Sequence, residues 1–285
     1  MHPDMHPDWI IPDWPAHSRV RAFCTTRAGG VSTGSFGSLN LGLTTGDTPA
    51  AVAANWARVQ AALDAASRST GASPTPPIRP VPLLQVHGTR VLELDAETPA
   101  HQRADASSTS AVGVACVAMA ADCLPVLLCN RAGTRVAAAH AGWRGLAGGV
   151  LEAAVASFKA NSDASPGHPA IKNEASESDE LLAWIGPGIG MQAFEVGAEV
   201  FQAFSQHDGA AARHFSARPG GKYLADLAGL ARQRLQAAGV GSIGGNDGAP
   251  AWCTALNASR FFSYRRDQLA LGGTGRMAAF IWRVA

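Results

Sequence analysis

The stretch Ala121–Gly149, ADCLPVLLCNRAGTRVAAAHAGWRGLAGG, decides how the rest of the chain is read. It places Cys123 at the junction of two apolar runs and His140 at the end of a third, then sets Arg144 in a Gly-Trp-Arg-Gly turn that opens a helical pattern. Packing alone gives no reason for Asp122-Cys123 between two buried strands, or for an imidazole after three alanines. Strand ends hold side chains on a rigid scaffold and aim them into a shared cleft, so the stretch reads as scaffold and chemistry together.

Working outward, further β-like runs are RVRAFCTTR (19–27), LLQVHGTRVLEL (83–94), VGVACVAMA (112–120), LLAWIGP (181–187), RFFSYRR (260–266) and MAAFIWRV (277–284). Helical patterns are PAAVAANWARVQAALDAA (49–66), GLAGGVLEAAVASFKA (145–160), EVGAEVFQAFSQ (195–206) and YLADLAGLARQRLQAAG (223–239), the last with Gly239 as C-cap. Strands come both in adjacent pairs and separated by helices, which predicts a layered α/β fold with mixed sheets in a single domain. Residues 1–20 read as an N-terminal extension with mobile histidines, and 21–285 as the domain. Gly-, Pro- and Ser-rich surface insertions fall near 67–80, 161–180 and 239–250. Neither a dinucleotide-binding nor a P-loop glycine motif is present.

With 23 basic and 22 acidic residues in 285, the chain has no charge field for nucleic acid or an anionic membrane. The one stretch of membrane-spanning length, Ala111–Cys129, is interrupted by Asp122 and Pro125, so two buried strands explain it better. Five cysteines with no CxxC pair, and no signal-peptide pattern, fit a reducing cytoplasm.

His87, Cys123 and His140 each end an apolar run. Two imidazoles and a thiolate would leave a fourth position open, the pattern of a catalytic rather than a structural zinc; buried thiol and core histidines are the plain alternative. The same donors describe a blue-copper site, but nine histidines with no H-x-H pair argue against a trinuclear copper cluster. Asp105 and Asp122 are candidates to orient a histidine or to move a proton. Arg144 at a helix start, Arg27 and Asn40 in the loop TTRAGGVSTGSFGSLNLG, and Arg265 in SYRRD are candidates for holding phosphate or carboxylate. Cys253 reads as a packed thiol, and Lys222 with Asp226 as a helix-start pair.

TTRAGGVS…SLNLG, QVHGTRV, Asp105, ADCLPVLL, HAGWRG, IGPGIG…FEVG, KYLADL, Cys253-Thr254 and FFSYRRD…GR follow the order seen in the YfiH-like laccase-domain family. Its members are also described as polyphenol oxidases, purine nucleoside phosphorylases or peptidoglycan editing factors. The chain resembles this family from about Phe23 to Val284. The resemblance implies an α/β/β/α sandwich and a zinc, with copper possible, on His87, Cys123 and His140. It further implies phosphorolysis of adenosine, inosine, guanosine and methylthioadenosine, and deamination of adenosine. The partners are then small nucleosides and phosphate, and the chain is expected as a monomer or weak homodimer. The sequence departs from the family at Trp56, where arginine is usual with Arg58 nearby, and at Phe36 and Phe194, where tyrosine is usual. Three rivals stay open: a metal-free Cys123/His140 hydrolase or amidase on a peptidoglycan precursor, copper-dependent phenol oxidation, and a nucleoside-binding protein without catalysis.

Overall fold

The computed structural model describes residues 5–68, 76–159 and 180–285; residues 69–75 of the first expected insertion and 161–179 of the second lie outside them. Two sheets form the centre. The first takes β1 (Val20–Cys24), β2 (Arg79–Val81), β5 (Val114–Ala120) and β13 (Met277–Arg283) in the order β1-β13-β5-β2. The second takes β3 (Val91–Glu93), β4 (Ala106–Thr109), β6 (Leu124–Asn130), β7 (Val136–Ala141), β8 (Leu181–Ile185) and β12 (Ser242–Gly245), ordered β12-β8-β6-β7-β4-β3. Each sheet mixes parallel and antiparallel pairs.

Period-two alternation makes the layers. On β13, Ala279 and Ile281 join Cys116 and Ala118 of β5 against Leu127, Ala138, Leu182 and Trp184 of the second sheet. The opposite face, with Ala278, Phe280 and Trp282, packs on Val59, Ala62 and Leu63 of α1 (Pro49–Ser67). Beyond the second sheet, Val126, Leu128, Ala139 and Ile185 meet α3 (Val150–Ala156), α4 (Ala198–Ser205) and α5 (Leu227–Ala237). The order helix, sheet, sheet, helix is the expected α/β/β/α sandwich. A small sheet of β9 (Glu195–Val196), β10 (Phe215–Arg218) and β11 (Lys222–Ala225), ordered β10-β11-β9, lies beside α4.

Several local expectations change. RFFSYRR is no strand: Phe261 and Phe262 are buried, and Ser263 caps α6 (Tyr264–Leu271) by accepting the Arg266 N–H. The 145–160 helix is broken at Gly149, whose φ of 102° divides α2 (Trp143–Gly148) from α3. KYLADL opens as β11, and Asp226 then caps α5. The 239–250 segment is no mere insertion, since β12 lies within it. The N-terminal extension is packed among its described residues: Trp9 is buried and stacks on Phe23 with ring centroids 5.2 Å apart. Among the described residues no helix is long and apolar enough to cross a membrane.

Candidate metal centre and active-site cavity

β5 belongs to one sheet and β6 to the other, so Ala121-Asp122-Cys123 carries the chain across the sandwich. The step puts Asp122 at φ 90°, a left-handed conformation costly for a residue with a Cβ. Its carboxylate fixes the turn: Oδ1 accepts from Thr254 Oγ1 at 2.5 Å and Oδ2 from the Arg265 backbone N–H at 2.6 Å. Cys123 is thereby aimed out of the sandwich edge, partly exposed, beside His140 at the end of β7.

His87 arrives differently from expectation. LLQVHGTR is not part of a strand; His87 sits in a turn at φ 60°. Asp105, buried just before β4, holds that turn by accepting the backbone N–H groups of Val86, His87 and Gly88 at 2.7–3.1 Å. The same carboxylate meets His140 Nδ1 at 3.0 Å. Burial would raise the Asp105 pKa, but the bonds from His140 and Gly88 leave it lowered, so it stays ionised. Asp105 thus bonds to both histidines, to His140 through its ring and to His87 through its main chain, which is the arrangement the orienting alternative calls for.

The donor atoms of His87, Cys123 and His140 all lie within 4.8 Å of one another, with His87 Nε2 to Cys123 Sγ at 3.9 Å. Glycine makes the approach possible: a Cβ at Gly142 would stand 2.8 Å from Cys123 Sγ and 2.9 Å from His87 Cδ2. Burial alone would push the Cys123 thiol up, but His140, then His87, bring it down to about 6. Burial would lower His140, and the thiolate with Asp105 raises it to about 9. The metal-free pair is thus thiolate and imidazolium, and a divalent cation can take the place of the shared proton. A soft thiolate, two imidazoles and a carboxylate behind one of them fit a first-row ion such as zinc.

His87, Cys123 and His140 line a cavity of about 570 Å³ whose walls also include Asp122, Trp143, Arg144, Phe194, Tyr264, Arg265 and Arg276. Arg144 lies over the Trp143 ring at 4.3 Å and Arg265 over Phe194 at 5.6 Å, and both line the cavity. Arg27 and Asn40 are not brought there. Arg27 donates to the carbonyls of Gly37 and Ala258 at 2.7 Å each and lies over Phe262. Asn40 is fully buried and bonded to Thr45 and Asp47. Trp56 also lies outside the cavity lining, donating to the Leu41 carbonyl at 3.0 Å. Cys253 is buried, and Gly190 N–H donates to its sulfur. Arg276, Trp143, Phe194 and Tyr264 were not singled out as site residues, although Arg276 closes the FFSYRRD…GR motif, which was the available signal.

The family model described as multi-copper polyphenol oxidoreductase laccase matches residues 21–284. Purine nucleoside phosphorylase YfiH of Escherichia coli K12 is 47% identical over 275 residues, covering 96% of this chain and 98% of that protein. Purine nucleoside phosphorylase PA4543 of Pseudomonas aeruginosa is 47% identical over 276 residues, covering 96% and 98%. The crystal structure of Neisseria meningitidis protein NMB0706 matches with a TM-score of 0.80 at 43% identity, covering 98% of this chain and 100% of that one.

Proposed function

The chain belongs to the multi-copper polyphenol oxidoreductase laccase family, and from that membership we propose that it is a zinc-dependent purine nucleoside phosphorylase. The single observation that carries this reading is the convergence of His87, Cys123 and His140 in the lining of a cavity walled by aromatic rings and guanidinium groups. Relatives bearing the phosphorylase name at 47% identity over nearly the whole chain support it. Zinc is preferred to copper because the described residues hold one such ligand group, whereas multi-copper oxidation needs several.

His87, Cys123 and His140 would hold the ion, which when bound would supply a Lewis acid. The rest follows from the chain. Trp143, Phe194 and Tyr264 offer π-faces for a purine, and Arg144 with Arg265 supply charge for phosphate. Fixing nucleoside and phosphate together removes most of the entropic barrier of a two-substrate reaction. Asp122 is the carboxylate in the cavity wall, held ready by Thr254 and Arg265. Adenosine, inosine, guanosine and methylthioadenosine are the proposed substrates. Deamination of adenosine ranks behind phosphorolysis, because zinc deaminases use a non-ligating glutamate and none of the described glutamates lines the cavity. Five free cysteines favour a cytoplasmic location.

One observation favours a second reading. Cys123, His140 and Asp105 form the chain thiolate, imidazole, carboxylate of a thiol hydrolase, suited to an amide such as a peptidoglycan precursor. Incubation with inosine and phosphate, followed by product analysis, tests the main reading. Hypoxanthine with ribose 1-phosphate is expected; metal-replete protein that forms neither contradicts it.

A further inference from the structure

Arg276 lines the same cavity as Cys123 and Asp122, and the chemistry above leaves it unused. Its backbone is clamped on both polar groups: the N–H donates to Asn40 Oδ1 at 2.9 Å, and the carbonyl accepts the Leu41 N–H at 3.0 Å. Asn40 has no freedom of its own, since Oδ1 also accepts the Gly42 N–H at 2.9 Å while Nδ2 donates to Thr45 and Asp47. Gly42 gives the side chain its path: a Cβ there would lie 2.8 Å from Arg276 Cγ.

The guanidinium is partly satisfied. Nη1 donates to the carbonyls of Thr274 and Gly275 at 3.1 and 3.0 Å, and the group stands 6.0 Å from the Tyr264 ring centroid. Nε and Nη2 have no hydrogen-bond partner among the described residues. The obvious alternative is a counter-ion to Cys123 and Asp122, whose charges Arg276 feels, but among the described residues its hydrogen bonds run to the Thr274 and Gly275 carbonyls and to neither of those groups, and Asp122 is bonded instead by Thr254 and Arg265. A rigidly held, half-buried fork with free N–H groups matches an oxyanion that can take two parallel bonds.

We propose that Arg276 anchors the anionic co-substrate, inorganic phosphate, in this cavity, and that Asn40 and Gly42 are positioning residues that aim it. This rests on the phosphorylase reading for the identity of the anion. It also gives the Ser-Leu-Asn-Leu-Gly run, expected to touch phosphate itself, an indirect part in binding it.

The test is phosphate binding to the zinc-loaded protein by calorimetry, alongside phosphorolysis kinetics and metal content. Arg276→Gln is expected to weaken phosphate binding roughly 10- to 100-fold with zinc content unchanged. Arg276→Lys should restore only part of it. Asn40→Ala should raise the KM for phosphate more than it lowers kcat and leave the KM for nucleoside unchanged; Gly42→Ala serves if that variant does not fold. Unchanged phosphate affinity in Arg276→Gln, or loss of zinc from it, overturns the proposal. If wild-type protein makes no ribose 1-phosphate yet binds phosphate through Arg276, the phosphorylase reading fails and the anion site stands.

Discussion

Asp105 Oδ1 lies 3.0 Å from His140 Nδ1, and the same oxygen accepts the His87 backbone N–H at 2.8 Å. One buried carboxylate thus sets both imidazoles, one through its ring and the other through its main chain. Asp105→Asn would turn an NH2 toward backbone N–H donors and remove the charge behind His140. Zinc affinity is expected to fall roughly 10- to 100-fold, with stability lower by about 1–3 kcal/mol. Chelator competition and a thermal melt measure the two effects; unchanged affinity would argue against the orienting role.

Gly142 marks how closely backbone approaches the ligands. Because an added Cβ would stand 2.8 Å from Cys123 Sγ, Gly142→Ala should displace the thiol and cut zinc content while far-UV circular dichroism is retained. Gly209→Ala, where a Cβ meets nothing within 4 Å, is the control and should bind zinc normally. Equal zinc content in the two variants would contradict the steric argument.

Cysteine reactivity separates the thiols. In chelator-treated protein, Cys123 should alkylate with a rate that rises through pH 6, because the thiolate forms as pH passes its lowered pKa of about 6. Cys24, Cys116 and Cys129 are buried with thiols pushed up to about 12, and should stay unmodified until the protein unfolds. Peptide mass mapping reads both results, and a midpoint for Cys123 near the ordinary thiol value would remove the imidazole pairing.

Trp9 stacks on Phe23 and donates its indole N–H to the Ala28 carbonyl at 3.1 Å. Trp9→Ala should cost about 3 kcal/mol in denaturant unfolding and leave zinc content unchanged. A cost below about 0.5 kcal/mol, the range of surface substitutions, would return these residues to the status of a loose extension.

The core strands were legible because their apolar runs are long: β5, β7 and β13 fall within VGVACVAMA, RVAAAHA and MAAFIWRV, and β6 begins one residue before PVLLCN. β4 was missed because its sequence, ASST, is polar: Ser108 and Thr109 are buried through hydrogen bonds that no hydropathy pattern reports, and Ser107 is buried with its hydroxyl unbonded among the described residues. RFFSYRR looked like a strand because Phe261 and Phe262 are apolar, yet both serve a turn that ends at the Ser263 cap. Within the site, the three candidate ligands announced themselves as polar residues closing apolar runs. Asp105 was seen, but its choice between orienting and proton transfer depended on the 86–88 turn, which has no sequence signature. Arg27 and Asn40 misled for one reason: a buried hydrogen-bonded scaffold and an anion cradle use the same residue types. Only geometry separates them.

The most direct test is zinc per chain, by elemental analysis, in wild-type protein and in His87→Ala, Cys123→Ala and His140→Ala. The account predicts about one ion per chain in the wild type and well under a tenth of that in each variant, with the fold retained. Full zinc in any two of the variants, or none in wild-type protein purified with zinc present, would contradict it.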